Sequence, residues 1–207
     1  MLAQVRRIAR TVAVPVTADL EAGYEDIEGT AAGLVEAGAV GLNLEDFQNG
    51  KLVDLTEQIE KIRTVRRVGE RLGVPLAINA RTDIYLAQLG DVETRFGRTV
   101  ERLLAFKDAG VDCVFVPGVR DEETIAKLVK ALQCPLNILA AAGAPTVERM
   151  QELGVARVSL GSGPMRAAMG LTQRIAEELR DSGTYGRMLD GPVTYAEANT
   201  LMGRTEN

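Results

Sequence analysis

The sequence predicts an α/β protein built on a parallel β-sheet. Short apolar runs rich in β-branched residues alternate with longer amphipathic segments along the 207 residues. Glycines stand where helix C-caps belong, at Gly38, Gly73, Gly110 and Gly154. Strands that alternate with helices at this spacing form βαβ units. The right-handed crossover then permits a barrel or an open, doubly wound sheet.

The pattern divides the chain into strands separated by helices. The predicted strands are Ala13–Ala18, Val40–Glu45, Pro75–Ala80, Asp112–Pro117, Pro135–Ala140 and Val155–Leu160. The predicted helices are Leu2–Arg10, Glu25–Ala37, Leu55–Leu72, Glu93–Ala109, Asp121–Leu132, Thr146–Leu153, Pro164–Asp181 and Tyr195–Met202. The first strand is apolar along its length, as buried parallel strands are.

The strand pattern also bears on the choice of fold. A dinucleotide-binding sheet would carry G-x-G-x-x-G after its first strand, and no such fingerprint follows Ala13–Ala18. A TIM-type (β/α)8 barrel has eight strands and about 250 residues. The 207 residues open on a helix and yield fewer strands. They therefore predict a single domain over residues 1–207 that lacks about two N-terminal βα units.

The composition excludes several classes of protein. The net charge is −5 without a basic cluster, which argues against a nucleic-acid-binding protein. No apolar run is long enough to span a bilayer, and no signal peptide is visible. Cys113 and Cys134 lie in or next to apolar runs. We expect them to be buried, reduced thiols of a cytoplasmic protein.

The chain contains no histidine. This excludes serine–histidine and cysteine–histidine nucleophile systems, histidine general bases and histidine-ligated zinc. Carboxylates, lysine, arginine, tyrosine and a bound metal ion remain as the available chemistry.

A first candidate site follows the first strand, which ends in Asp19 and Glu21. The C-terminal ends of parallel strands carry the chemistry of α/β proteins. The two carboxylates are two residues apart, so both leave the same face of an extended backbone, and their charges repel unless a cation lies between them. Mg²⁺ is the simplest such cation. A solvated loop with two acids is an alternative of equal weight.

Polar residues also end the next two strands. The second strand, G-L-N-L-E-D, supplies Glu45 and Asp46, and the third, A-I-N-A-R-T-D, supplies Arg81 and Asp83. Adjacent parallel strands lie about 4.8 Å apart, so Glu45 and Arg81 can share one pocket with the two acids of the first strand. Several acids and one arginine predict a Mg²⁺ site for a small anionic substrate, whose carboxylate or phosphonate the arginine binds. The alternative is a structural ion pair between Glu45 and Arg81.

Three further features near these strand ends have open interpretations. Tyr24 could donate a hydrogen bond into the pocket or pack against the first helix. Lys51 could reach the pocket as an acid or base, although a solvated loop lysine is the favoured interpretation. The turn Gly161–Gly163 follows the last strand, where a barrel holds a late anion-binding loop, and a plain tight turn is at least equally favoured.

Taken together, the motifs V-T-A-D-L-E-A-G-Y, G-L-N-L-E-D, N-A-R-T-D, V-F-V-P-G and V-S-L-G-S-G resemble the isocitrate lyase/phosphoenolpyruvate mutase superfamily, and most closely its short members. The resemblance implies a (β/α)8 barrel, dependence on Mg²⁺ or Mn²⁺, and a 2-oxo acid substrate. Enzymes of this family make or break C–C or P–C bonds through an enolate held on the metal. Their helices are swapped between subunits, which implies a homo-oligomer, a dimer or a tetramer.

The resemblance also assigns roles to individual residues. Asp19 matches the direct metal ligand, Glu21 an acid that holds the metal through water, and Glu45 a third acid of the metal shell. Arg81 matches the arginine that contacts the anionic group of the substrate. We therefore expect Arg81 and Glu45 to be catalytic, and Arg81 with Tyr24 to bind substrate.

Differences from the family's motifs reduce the number of reactions that we expect this chain to catalyse. The lyase branch carries K-K-C-G-H after the second strand, where this chain has F-Q-N-G-K-L-V-D, so cleavage of isocitrate or methylisocitrate is not expected. The first two βα units of the family, which bind the oxo-acid carboxylate, have no counterpart here. The sequence predicts a Mg²⁺-dependent lyase or mutase. The alternatives are a truncated, non-catalytic chain and a different barrel enzyme that binds phosphate at Gly161–Gly163.

Overall fold

The structure is a computed structural model that describes residues 1–203 and contains eight strands and nine helices there. The strands are β1 (Thr17–Asp19), β2 (Gly41–Glu45), β3 (Phe47–Gln48), β4 (Lys51–Leu52), β5 (Ala77–Arg81), β6 (Cys113–Val116), β7 (Leu136–Leu139) and β8 (Arg157–Ser159). The helices are α1 (Leu2–Thr11), α2 (Ile27–Glu36), α3 (Leu55–Arg71), α4 (Val92–Asp108), α5 (Glu122–Leu132), α6 (Val147–Glu152), α7 (Gly163–Ser182), α8 (Gly186–Leu189) and α9 (Tyr195–Met202).

Six of the strands form one parallel sheet, in the order β1-β2-β5-β6-β7-β8. Each sheet strand is followed by a helix, which confirms the predicted α/β class. Three of the helices begin at an aspartate cap. Asp26 caps α2, Asp54 caps α3 and Asp121 caps α5, each accepting a backbone N–H of the first turn.

Two compact units share the chain. The first, Met1–Ser159, holds the parallel sheet and α1 to α6, and the second begins at Leu160 and holds α7 to α9. The single domain predicted over residues 1–207 stays a prediction. Within residues 1–203, no helix has both the length and the apolar character needed to cross a membrane.

The two faces of the parallel sheet differ in character. One face packs against the helices and is apolar and fully buried through Leu42, Leu44, Ile78, Ala80, Val114, Val116, Leu136 and Ile138. The strand register places the alternate residues on the opposite side, including Asp19, Asn43, Glu45, Asn79, Arg81, Phe115 and Asn137. We call this second side the polar face.

Some element boundaries differ from the predicted ones. The first strand covers Thr17–Asp19 rather than Ala13–Ala18, because Pro15 has no N–H to donate to a ladder. The β3–β4 hairpin was not predicted, although its turn Asn49–Gly50 is the strongest short hairpin signal. Both turn residues have positive φ, at 53° and 79°.

Shortening a core side chain of the central strand β5 tests this arrangement. Ile78→Ala leaves a cavity between sheet and helices, so we expect the free energy of unfolding to fall by about 2–5 kcal/mol. Urea denaturation followed by circular dichroism measures the change. Val92→Ala, at a side chain that is 70% exposed, is the control and should stay within about 0.5 kcal/mol of wild type. A loss at Ile78 no larger than the control would contradict the buried position.

Candidate active site

Arg81, the last residue of β5, lies at the centre of the candidate site. Its Nε and Nη2 donate to the two carboxylate oxygens of Asp83, at 2.5 and 2.7 Å. Its Nη1 lies 2.8 Å from Glu45 Oε2 at the end of the neighbouring strand β2. The guanidinium carbon stands 5.8 Å from the centre of the Phe115 ring on β6. Three adjacent strand ends therefore hold one partly buried arginine.

Glu45 carries the most perturbed carboxylate of the site. Burial raises the pKa of Glu45 to about 7, against the opposing effect of the Arg81 charge. The charges of Asp83, Asp19 and Glu21 raise it further. Four acids around a single arginine give this end of the sheet an excess of negative charge, which suits a cation.

The loop after β1 presents the remaining predicted residues. Asp19 Oδ1 accepts a hydrogen bond from the backbone N–H of Glu21 at 3.0 Å, and the Tyr24 hydroxyl donates to Glu21 Oε1 at 3.1 Å. Glu21 and Tyr24 have positive φ, at 49° and 58°, a conformation that is strained for residues with a side chain. Strain of this kind is concentrated at functional sites.

The structure thus couples the five predicted site residues at one edge of the sheet. Glu45 pairs with Arg81, Tyr24 bonds Glu21, and the pKa of Tyr24 is raised by burial and then by Glu21, Asp19 and Glu45. The structural ion pair that the sequence offered as an alternative for Glu45 and Arg81 is present. Their predicted catalytic roles stay predictions.

The donor chemistry of this edge fits Mg²⁺. Within residues 1–203, no three acidic or cysteine side chains are grouped closely enough to enclose a metal ion by themselves. Mg²⁺ does not require such a cage, because it keeps several waters and binds through one or two carboxylates. Asp19 at the end of β1 and Glu21 in the loop that follows supply hard oxygen donors on exposed residues, with Glu45 as a third acid nearby.

Sequence reasoning named Asp46 and Asp83 as polar residues of the strand ends, but it did not find Arg102 or the contacts by which these residues support Arg81. Asp46 is fully buried, and its carboxylate accepts from Arg102 Nε at 2.6 Å and from the Asp83 backbone N–H at 3.0 Å. Gln58 of α3 donates to the Glu45 carbonyl at 3.1 Å. The motif letters E-D and R-T-D contained Asp46 and Asp83. Arg102 is 56 residues from Asp46, and no local pattern connects them.

The two cysteines are free thiols, and they are half-buried where the sequence predicted buried side chains. Burial raises the pKa of Cys113 to about 11 and also raises that of Cys134.

Only the thiolate reacts with iodoacetamide, so we expect the alkylation rate of Cys113 to keep rising between pH 8 and pH 10. Mass spectrometry of the alkylated peptides measures it. The urea-unfolded protein is the control, and a rate for native Cys113 that levels off near pH 9 would contradict the raised pKa.

The chain matches a known protein family. The family model described as phosphoenolpyruvate phosphomutase matches residues 1–180. The chain belongs to the phosphoenolpyruvate mutase family. The resemblance read from the strand-end motifs is thereby confirmed.

Two relatives show how the chain lies within the phosphoenolpyruvate mutase family. An uncharacterized protein of Mycobacterium tuberculosis is 35% identical over 194 residues, covering 93% of this chain and 70% of the relative. An oxaloacetate decarboxylase of Chromohalobacter salexigens is 32% identical over 192 residues, covering 86% of this chain and 63% of the enzyme. The chain thus spans less than two thirds of that decarboxylase.

Solved structures of the family agree with the fold. A Burkholderia cenocepacia protein of the lyase/mutase type superposes with a TM-score of 0.89 at 30% identity, covering 98% of this chain and 74% of that one. A phosphonopyruvate hydrolase bound to oxalate and Mg²⁺ gives a TM-score of 0.80 at 25% identity, covering 98% of this chain and 73% of the hydrolase. The homologues are lyases or phosphonomutases, and the TIM-type fold predicted for this chain is confirmed by its neighbours.

Proposed function

We propose that this chain is a Mg²⁺-dependent enzyme that breaks a C–C or P–C bond next to the oxo group of a small 2-oxo acid. The observation that carries the proposal is the placement of Arg81, held by Glu45 and Asp83, beside the acidic loop of Asp19 and Glu21. An oxaloacetate decarboxylase and a phosphonopyruvate hydrolase among the homologues support this class of substrate.

Three acids provide the metal site of the proposed enzyme. Asp19 would hold Mg²⁺ directly, and Glu21 and Glu45 would hold it through its bound waters. Bound there, the ion would supply electrostatic stabilisation of the negative charge that develops on the oxygens of the substrate. The solved complex of the phosphonopyruvate hydrolase with oxalate and Mg²⁺ supports this cofactor.

Arg81 orients the substrate. A guanidinium has five N–H donors, and the two hydrogen bonds to Asp83 use two of them, while Nη1 forms an ion pair with Glu45. Donors on Nη1 and Nη2 therefore remain for a carboxylate or phosphonate, and Asp83 and Glu45 fix the plane in which they point. Arginine suits this role because its planar fork matches such groups. The Tyr24 hydroxyl, placed by Glu21, is a further donor at the same edge.

The substrate that we propose to test first is oxaloacetate, since the Chromohalobacter salexigens relative is a decarboxylase of that acid. Assembly as a homo-oligomer and a cytoplasmic location are parts of the same proposal. A non-catalytic chain of the family is the alternative, and the experiment below separates the two.

Isothermal titration calorimetry with Mg²⁺, with and without oxalate, tests the proposal. Oxalate mimics the planar enolate that forms when a bond next to the oxo group breaks. Because such an enolate would be held by the metal, we expect oxalate to bind only with Mg²⁺ present. Pyruvate release from oxaloacetate, followed by NMR against heat-denatured protein, then tests turnover. Wild-type protein that binds neither Mg²⁺ nor oxalate would contradict the proposed function and favour the non-catalytic alternative.

A further inference from the structure

A buried ion pair lies behind the candidate site, and the proposed function does not use it. Arg102 of α4 donates from Nε to Asp46 Oδ2 at 2.6 Å and from Nη2 to the Val53 carbonyl at 2.8 Å. Asp46 is fully buried, and the Arg102 side chain is 12% exposed. A buried ion pair is often no more stabilising than well-packed apolar residues, so stability alone is a weak reason for its presence.

The second oxygen of Asp46 connects this pair to the site. Asp46 Oδ1 accepts the backbone N–H of Asp83 at 3.0 Å, and the backbone N–H of Asp46 donates to the Arg81 carbonyl at 3.1 Å. Asp83 in turn binds Arg81 through both of its carboxylate oxygens. Asp46 therefore fixes the backbone on both sides of the turn from which Asp83 reaches Arg81.

We propose that Asp46 and Arg102 are positioning residues that hold the Asp83 turn and thereby set the orientation of the Arg81 guanidinium. The proposal rests on the proposed function for its catalytic consequence, because Arg81 is the group that would bind substrate there. Arg102 fixes the Asp46 carboxylate, Asp46 fixes the Asp83 amide, and Asp83 fixes Arg81. Releasing the first contact frees the last.

The amino-terminal end of β5 offers a matched control. There Arg66 of α3 donates to Asp112 Oδ2 at 2.7 Å and to the Leu76 carbonyl at 2.8 Å. Asp112 Oδ2 accepts the backbone N–H of Ile78 at 2.8 Å. This arrangement has the same chemistry as the pair behind the site, an arginine from a helix and an aspartate that accepts an N–H of the β5 segment. It lies at the end of the strand away from Arg81.

NMR can measure how fast the Nε proton of Arg81 exchanges with water, and this rate reports how firmly Asp83 holds the guanidinium. The Arg81 signal is identified by its loss in Arg81→Lys. We expect slow exchange of this proton with water in the wild type, because it is bonded to Asp83. In Arg102→Lys and in Asp46→Asn we expect exchange to be at least about tenfold faster, since the turn opens locally. In Arg66→Lys the Arg81 signal should be unchanged.

Two variants keep the test decisive if one folds poorly. Asp46→Asn replaces one of two acceptor oxygens by an N–H donor, so it loses the contact with either Arg102 or the Asp83 amide, whereas Arg102→Lys retains the charge. Unchanged Arg81 exchange in either folded variant, with a loss of melting temperature like that of Arg66→Lys, would show that the pair is only structural and overturn the proposal.

Oxalate titration in the presence of Mg²⁺ measures the catalytic consequence. We expect the affinity of Arg102→Lys for oxalate to fall while that of Arg66→Lys stays at the wild-type value. Equal affinity in Arg102→Lys and wild type would contradict the link to substrate binding. Wild-type protein that binds no oxalate would instead count against the proposed function, and the exchange rate of Arg81 would still decide the positioning role.

Discussion

Asp19→Asn is expected to weaken Mg²⁺ binding at least about 100-fold, because loss of an outer-shell partner alone costs about 10–100-fold in metal affinity. Asparagine keeps the oxygen that accepts the Glu21 N–H at 3.0 Å, so the loop conformation should survive while the charge is lost. Isothermal titration calorimetry with MgCl₂ measures the change. Stabilisation of the wild type by Mg²⁺ in thermal unfolding should disappear in the variant for the same reason.

Asp26→Asn is the matched control for this experiment. Asp26 is also an aspartate that accepts a backbone N–H, from Gly29 at 2.9 Å, and it caps α2 only a few residues later. We expect its replacement to leave Mg²⁺ binding unchanged, since asparagine caps helices as well as aspartate does. Equal Mg²⁺ affinity in Asp19→Asn and Asp26→Asn would contradict the assignment of Asp19 as a metal ligand.

Arg81→Lys is expected to lower kcat/KM at least about 100-fold. This is the size of effect seen when an enzyme loses one hydrogen-bond donor that is directed at the charge developing in the transition state. A lysine ammonium is a single point of charge. It cannot bind Asp83 through two parallel N–H groups, form the ion pair with Glu45 and keep free donors for a substrate. The measurement is the steady-state rate of pyruvate formation from oxaloacetate in the presence of Mg²⁺.

Arg66→Lys controls for the general cost of replacing a partly buried arginine attached to β5. Arg66 also makes several hydrogen bonds, including one to the Gly110 carbonyl at 2.6 Å, but it lies at the other end of the strand. We expect this variant to lose stability and to retain kcat/KM within about twofold, as for substitutions distant from the chemistry. An Arg81→Lys enzyme as active as Arg66→Lys would exclude Arg81 as a substrate-binding group.

The parts of the fold that depend on hydrophobic period were predictable from the sequence. All six parallel strands and the predicted helices are present, because the strands and α1 to α6 bury apolar side chains in one core. Helices α7 and α9 were also predicted correctly, although they have no buried residue. The first strand is the exception. The apolar run from Ala13 suggested a long strand, but Pro15 limits pairing to Thr17–Asp19 and Val14 is 67% exposed.

The edge that carries the candidate site was predictable for a different reason. Parallel strands end at the same edge, so Asp19, Glu45 and Arg81 lie at one edge of the sheet, where the register pairs Asp19 with Asn43 and Glu45 with Arg81. The contacts behind this edge were not predictable. Whether Asp83 would bind Arg81, and whether an arginine of α4 would reach Asp46, depends on rotamers and on helix packing that a single sequence does not encode locally.

The division of the sheet into an apolar face and a polar face has a consequence for how this family diverges. On β2 and β6, Asn43 and Phe115 face the site, whereas their sequence neighbours Leu44 and Val114 are buried against the helices. Residues of the polar face, which carries the candidate site, and residues that maintain the core are therefore separate sets, interleaved along the same strands. Natural selection can alter the first set at little cost to the second. One scaffold can thus supply decarboxylases, hydrolases and mutases without rebuilding its core.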